Sequence, residues 1–126
     1  MDFALTKEQK EIQKAAREFA EGEFDKEVAL DHERRHAFPM EIWHKACQLG
    51  FVGLHFPEKF GGQGYGTFEN ALVVEQFCRQ DSGMGIAISL ADFASEIIVR
   101  FGTEEQKEKY LRPLAEGHAL SSGGFT

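Results

Sequence analysis

The first helix of this chain is marked by apolar residues that recur every three or four positions. Thr6 can cap its amino terminus, and Gln9 stands three residues later, which is a capping-box pattern. Charged residues fall on the opposite face, and the helix is predicted to run to about Ala29. Its inward stripe consists of Ile12, Ala15, Ala16, Phe19 and Ala20.

Two further helices are predicted on either side of a glycine-rich connector. Pro39 suits the first turn of the second helix, because its missing N–H is unpaired there in any case, and Gly50 suits a left-handed helix end. The connector spans residues 51–66, and Thr67 can cap the third helix. The inward residues of these two helices are Ile42, Trp43, Ala46, Cys47 and Leu49, followed by Phe68, Ala71, Leu72, Val74, Phe77 and Cys78.

The fourth predicted helix is unusual because no residue from 82 to 91 is charged. It begins at Asp81 or Ser82, and Gly102 ends it. Apolar residues lie on all its sides, which is typical of a helix at the centre of a bundle. Its small residues permit close helix packing, and they also leave room for an apolar ligand. The wall of such a slot would be formed by Met84, Ile86 and Phe93.

The last part of the chain predicts a fifth helix and then a strand. Thr103 and Gln106 repeat the capping-box pattern, and Pro113 is predicted to close the helix. Residues 118–126 are small and extended in character, and a lone strand cannot satisfy its own backbone. We therefore predict an all-α, up-and-down bundle of about five helices over residues 1–117. Residues 118–126 would be the first strand of a missing β domain.

Composition narrows the classes of function. The formal charge is −7, and basic residues are interleaved with acidic ones, which argues against a nucleic-acid partner. No uncharged apolar stretch reaches the roughly 20 residues of a membrane span, and the amino terminus does not resemble a signal peptide. Cys47 and Cys78 lie far apart inside apolar helical patterns, as expected of reduced, buried thiols. We predict a soluble, cytoplasmic protein.

Two motifs could carry chemistry, and each has a structural alternative. Residues 32–36 match the HExxH pattern of zinc peptidases, but charged flanks and two arginines favour a solvated helix end. Residues 61–66 form a glycine-rich loop that lacks the preceding strand of a phosphate site, which favours a turn over a ligand contact. A zinc hydrolase is the alternative that metal analysis tests. We assign no metal ligand and no catalytic residue, since Asp92, the nearest candidate for a general base, is expected to pair locally.

Four motifs occur in order along the chain. They are LTKEQ at residues 5–9, LGFVGL at 49–54, FPEKFGGQG at 56–64, and FGTEEQK at 101–107, with YL and PL shortly afterwards. Neither half of the series is specific alone. Together, at these spacings, they resemble the acyl-CoA dehydrogenase family along essentially the whole chain.

The resemblance implies a three-domain flavoprotein, with a β-sheet domain between two helical bundles and FAD between the last two domains. A glutamate in the last domain would remove the α-proton of an acyl-CoA while the β-hydride passes to the flavin, giving the trans-2-enoyl-CoA. The family's flavin loop would begin at Thr126. The implied cofactor-binding residues are Gly123, Phe125 and Thr126. The residues implied to face the fatty tail are Gly85, Ile86, Ser89 and Phe93.

The same resemblance implies partners for the full-length protein. They are an acyl-CoA substrate, an electron-transfer flavoprotein or similar acceptor, and further copies of the chain in a homotetramer. Because the sequence stops at Thr126, the rest of the flavin loop and the catalytic glutamate are expected to be missing. The fragment alone is then expected to be inactive and not to retain FAD. The alternative is a non-catalytic helical interaction module, whose exposed apolar slot a partner would cover.

Overall fold

The computed structural model describes residues 3–124, and these fold almost entirely as helices. The all-α class is confirmed, with seven α-helices in the described residues where about five were predicted. A short 3₁₀ helix, Glu58–Phe60, lies in the connector. The helices are α1 (Lys7–Glu23), α2 (Lys26–Arg34), α3 (Met40–Gln48), α4 (Thr67–Gln80), α5 (Ser82–Ser89), α6 (Ser95–Phe101) and α7 (Glu104–Ala115).

Capping boxes start α1 and α7 at the positions predicted from the sequence. The Thr6 hydroxyl accepts the backbone N–H of Gln9 at 3.1 Å, and the Gln9 side chain accepts the N–H of Thr6 in return. Thr103 and Gln106 make the same reciprocal pair at the start of α7. Each box satisfies two amide groups that have no partner within the helix.

The predicted start of α4 is wrong by one residue. Thr67 is the first helical residue, and Gly66 stands at the cap position. The Glu69 carboxylate accepts the N–H of Gly66 at 3.1 Å, so the acidic residue supplies the capping contact. Thr67 was expected to cap this helix, and it does not.

The first predicted helix is in fact two helices, because the chain turns at Phe24. The Phe24 ring is buried against the rings of Phe19 and Phe77. Asp25 then caps α2 by accepting the N–H of Glu27 at 2.9 Å. Burial of the Phe24 ring and the Asp25 cap both stabilise the break.

The fourth predicted helix is also divided, into α5 and α6, by loop 90–94. Within this loop Ala94 has a left-handed backbone with φ of 71°. No glycine or proline lies in the loop, so local propensity does not cause the break. Tertiary hydrogen bonds to Asp92 and to the loop backbone, described below, hold it instead.

The last helix continues past the residue that was predicted to close it. Pro113 lies inside α7, which ends at Ala115. The Pro113 carbonyl accepts the N–H groups of His118 and Ala119, and Gly117 turns the chain with φ of 76°. Because proline has no N–H to donate to the carbonyl four residues earlier, α7 carries Pro113 at the cost of one helical hydrogen bond.

Two hydrophobic clusters stabilise the bundle. In the larger one α1 packs along α4, and α4 packs along α5, with Phe77 at the centre. The smaller cluster places α7 over the connector and consists of Phe56, Phe60, Leu111, Leu114 and Ala115. The connector is thus a packed element that joins α3 to α7 and to the loop between α5 and α6.

The chain beyond α7 is extended, and it makes one bridge within the described residues. Ser121 pairs with Asp92 in the parallel sense, and its N–H donates to the Ala91 carbonyl at 2.9 Å. Phe125 and Thr126 lie outside the described residues. The division at residues 117 and 118 stays a prediction.

Candidate functional site

A groove of about 410 Å³ opens at the break between α5 and α6. It is lined by one connector residue, by the first turns of α4, and by the segment from the end of α5 to α6. The lining residues that matter here are His55, Ser89, Asp92, Phe93, Glu96 and Ile97. The lining combines the apolar side chains of Phe93 and Ile97 with ionisable groups on His55, Asp92 and Glu96.

Two of the four residues expected to face a fatty tail line this groove. Ser89 lies partly buried at the end of α5, and Phe93 is 40% exposed in loop 90–94. Ile86 is 51% exposed on α5, but it is not part of the groove lining. The structure therefore brings Ser89 and Phe93 together and leaves Ile86 on the outer surface of the same helix.

Gly85 lies in the contact between α5 and α4 rather than in the groove. A Cβ atom at this position would be 2.7 Å from the backbone nitrogen of Cys78 and 2.8 Å from the carbonyl carbon of Phe77. The absence of a side chain lets the two helices approach closely. This geometry matches the packing alternative for the small residues of the helix, and a contact of Gly85 with a tail stays a prediction.

Large apolar side chains remain exposed along α5, loop 90–94 and α6. Phe101, at the end of α6, is 80% exposed. A contiguous exposed apolar patch on a protein commonly marks a ligand-binding site or a protein–protein contact. We call the set the apolar face, and it consists of Ile86, Leu90, Phe93, Ile97 and Phe101.

The polar side of the groove is built around Asp92. Its carboxylate accepts the N–H of Gly53 at 3.4 Å. His55 Nε2 lies 3.4 Å from a carboxylate oxygen of Glu96, and its Nδ1 is buried without a hydrogen-bond partner among the described residues. Burial raises the pKa of the Asp92 carboxyl, while the nearby His55 and the Gly53 N–H act to lower it.

His55 was not predicted as a site residue. A single histidine in a connector has no spacing signal, and it reaches the groove because the connector folds under loop 90–94. Asp92 was expected to pair locally, but its carboxylate instead accepts the N–H of Gly53, 39 residues away in the chain, and lies near His55.

The glycine-rich loop is accounted for by backbone geometry. Gly61 and Gly64 have positive φ, of 87° and 71°. A Cβ at Gly62 would lie 2.1 Å from the Phe56 carbonyl oxygen, which no side chain could tolerate. These three positions need glycine for the turn itself.

The two histidines of the HExxH match do not stand together on a helix. His32 is in α2, with Nδ1 3.2 Å from the Ala37 carbonyl oxygen, whereas His36 lies beyond the helix with φ of 50°. Across residues 3–124 no group of three or more His, Cys, Asp or Glu side chains is placed to hold a metal ion. A larger cavity, of about 690 Å³, lies beside them between α2 and the start of α5.

Comparison with known proteins shows which family this chain belongs to. The family model for the N-terminal domain of acyl-CoA dehydrogenase matches residues 6–118. The chain belongs to the acyl-CoA dehydrogenase family. The recognition made from the four sequence motifs is thereby confirmed.

Individual relatives agree with this assignment. The chain is 39% identical over 126 residues to acryloyl-CoA reductase (NADH) of Anaerotignum propionicum, covering 100% of this chain and 32% of that relative. A chain in the solved structure of the electron transferring flavoprotein of Acidaminococcus fermentans is 39% identical, with a TM-score of 0.83 over 95% of this chain and 32% of that one. Acyl-CoA dehydrogenase of Bacillus anthracis, complexed with FAD, is 31% identical, with a TM-score of 0.75 over 92% of this chain and 20% of that one. The chain thus spans about a third of the length of the curated relative from Anaerotignum propionicum.

None of the helices in residues 3–124 of this acyl-CoA dehydrogenase domain combines the length and the apolar character that crossing a membrane requires.

Asp92→Asn is expected to change how the stability of the acyl-CoA dehydrogenase domain depends on pH. A carboxyl whose pKa is raised by folding holds its proton more tightly in the folded state. Its contribution therefore favours folding below the unfolded pKa of about 3.9 and is lost as the pH rises toward the folded pKa. Between these limits the wild type should lose more stability with rising pH than Asp92→Asn does.

Urea denaturation at a series of pH values measures this difference. Asp31→Asn is the matched control, because the Asp31 carboxylate is exposed on α2 and pairs with Arg35 of the same segment. Parallel stability curves for the wild type and Asp92→Asn would show that folding does not raise the pKa of Asp92.

Proposed function

We propose that this chain is the helical domain of an FAD-dependent acyl-CoA dehydrogenase and forms one wall of the slot that holds the acyl chain. The observation that carries the proposal is the groove at the α5–α6 break, continuous in sequence with an exposed apolar face. An acyl tail has no hydrogen bonds to offer, and apolar side chains such as Phe93 and Ile97 are suited to enclose it.

Each predicted tail-contact residue has a part in this proposal. Phe93 supplies apolar surface in the groove, and Ser89 lies at its inner end. Ile86 extends the apolar surface along α5. Gly85 would contribute indirectly, by letting α5 pack closely on α4 and so fixing the helix that carries the wall.

The flavin would be approached by the segment that follows α7. Gly123, Phe125 and Thr126 are the residues we propose to contact it. The space beside this segment is open, since no heavy atom of the described residues, chain neighbours aside, lies within 4 Å of a Cβ built at Gly124. When bound, FAD supplies the acceptor for the hydride that leaves the β-carbon of the thioester.

The remaining chemistry belongs to parts of the full-length protein beyond these residues. A glutamate outside this chain would take the α-proton, giving the trans-2-enoyl-CoA, and this domain would exclude water from the reacting bond. We propose an electron-transfer flavoprotein as the acceptor, in line with the solved structure from Acidaminococcus fermentans. We also propose that the full-length protein is a homo-oligomer.

Purification of the complete gene product that contains this sequence tests the proposal. The protein is expected to be yellow with bound FAD, and its visible flavin absorbance should bleach under anaerobic conditions on addition of one or more straight-chain acyl-CoA thioesters from propionyl to palmitoyl. A colourless product, or a flavin that no thioester in the series bleaches, would contradict it. That result would favour the helical interaction module.

A further inference from the structure

Loop 90–94 has a conformation that its own sequence does not explain. Ala94 has φ of 71°, a region that residues with a Cβ occupy at a cost. The loop contains neither glycine nor proline, and alanine and leucine in it favour continued helix. Contacts from elsewhere in the molecule must therefore hold the loop in place.

The first of these contacts comes from the connector. Asp92 projects its carboxylate to the backbone N–H of Gly53, at 3.4 Å. Gly53 itself has φ of 68°, and a Cβ there would lie 2.7 Å from the Phe56 ring. The Asp92 carboxylate thus connects loop 90–94 to Gly53, whose backbone is held in place by packing against Phe56.

The second contact comes from the segment that leads onward from α7. The N–H of Ser121 donates to the Ala91 carbonyl at 2.9 Å, and the Ser121 hydroxyl donates to the Phe93 carbonyl. These two bonds flank Asp92 on either side. Ser121 stands two residues before Gly123 and four before Phe125 in the sequence.

The ionisable groups that interact with Asp92 lie on elements packed around the loop. His55 faces it from the connector, Glu96 from α6, and the Cys47 thiol from α3. Burial, with the Asp92 carboxylate nearby, raises the pKa of Cys47 to about 12, so the thiol is neutral at physiological pH. The Asp92 carboxyl therefore has two neighbours that favour its charged form, the His55 ring and the Gly53 N–H, and the N–H is the one that ties loop 90–94 to the connector backbone.

We propose that Asp92 is a positioning residue, which sets the distance between the acyl-slot wall and the segment that approaches the flavin. By anchoring loop 90–94 to Gly53, it gives Phe93 a fixed place in the groove and gives Ser121 a fixed pair of carbonyls to bond. This role of Asp92 rests on the proposed function, because the distance affects a reaction rate only if the protein is a flavin enzyme. A shift of about 1 Å between reacting groups is enough to lower the rate by orders of magnitude.

Three variants of the full-length gene product test this assignment. Asp92→Ala removes the acceptor, and Asp92→Asn retains an oxygen that can accept the Gly53 N–H while removing the charge. Ser121→Ala removes the hydroxyl bond to Phe93 from the other side of the loop. Asp31→Ala is the matched control, since it deletes an exposed carboxylate on α2, away from the groove.

Steady-state kinetics and the spectrum of the bound flavin are the first readouts. Asp92→Ala should lower kcat about tenfold, with KM changed less than about threefold and FAD still bound, and should shift the visible flavin bands. Asp92→Asn should restore kcat to within about threefold of the wild type. The double variant that combines Asp92→Ala with Ser121→Ala should lose kcat non-additively, because both side chains hold the same loop.

Hydrogen exchange of the peptide covering residues 119–124 is a second readout that needs neither flavin nor substrate. Asp92→Ala should speed exchange at the Ser121 amide, which bonds to Ala91, and Asp31→Ala should not. If the wild type were colourless, the proposed function would fail while this measurement still decided whether Asp92 anchors the segment.

The proposal is overturned by any of three results. One is Asp92→Ala with kinetics, flavin spectrum and exchange equal to those of Asp31→Ala. Another is Asp92→Asn behaving like Asp92→Ala, since charge and not the acceptor would then matter. If Asp92→Ala does not fold, unchanged kcat and exchange in Ser121→Ala would overturn it instead.

Discussion

Phe77→Ala is expected to lower the free energy of unfolding by about 4 kcal/mol, the largest loss we foresee for a single side chain. Phe77 is 1% exposed, and its ring centroid lies 5.3–5.5 Å from those of Phe19, Phe24 and Phe51. Truncation removes the buried ring and leaves a cavity whose rigid aromatic walls collapse poorly. The same ring joins α1 and α4 to the connector, so its loss loosens three elements at once.

Chemical denaturation followed by the fluorescence of Trp43, the single tryptophan in this sequence, measures the effect. Phe68→Ala is the matched control, because Phe68 lies in the same helix and is 54% exposed, although the sequence pattern wrongly predicted that it points inward. The control should lose less than about 1 kcal/mol. Equal losses in the two variants would show that the aromatic cluster is not the centre of the core.

Gly85→Ala is expected to lower the free energy of unfolding by about 3 kcal/mol, although alanine is the better helix former. The added methyl would meet backbone atoms of Phe77 and Cys78 at 2.7–2.9 Å, and backbone in the last turn of α4 cannot rotate away as a flexible side chain could. α5 must therefore separate from α4. That movement would also shift the wall of the groove, so Gly85→Ala should weaken acyl-CoA binding in the full-length protein.

Gly83→Ala in the same helix is the control for this prediction. A Cβ at Gly83 meets nothing closer than an Asp81 carboxylate oxygen at 3.4 Å. Its stability should be unchanged or raised by up to about 1 kcal/mol. Thermal or urea unfolding of both variants decides, and a Gly85→Ala protein as stable as Gly83→Ala would contradict the close helix contact.

The elements that could be predicted were those specified by local chemistry. The Thr–Gln capping boxes marked the starts of α1 and α7, and apolar spacing located the core face of α1 with Phe19 on it. The break at Phe24 was missed, although Asp25 is a good cap, because helical spacing runs on through the charged residues that follow. Periodicity alone does not show which of two competing helix starts prevails.

The division of α5 from α6 could not be predicted from local sequence. Leucine, alanine and phenylalanine in loop 90–94 are all compatible with helix, and the break is held by bonds to Gly53 and Ser121, distant in the chain. Part of the candidate site could not be predicted for the same reason, since it depends on contacts between residues distant in the chain. Phe93 was assigned to a slot from the pattern of one helix and Ser89 from the family resemblance, and both line the groove, whereas the contribution of His55 depends on how the connector folds.

Photo-labelling is the most direct test that this domain forms the wall of an acyl slot. A saturated acyl-CoA with a diazirine at the far end of its acyl chain is first bound to the full-length protein. The complex is then irradiated, and the labelled peptides are identified by mass spectrometry. The label is expected in residues 86–97, which contain Ser89, Phe93 and Ile97. Labelling confined to the cavity between α2 and the start of α5, near His32 and Gly83, would contradict the account, as would a label absent from this domain altogether.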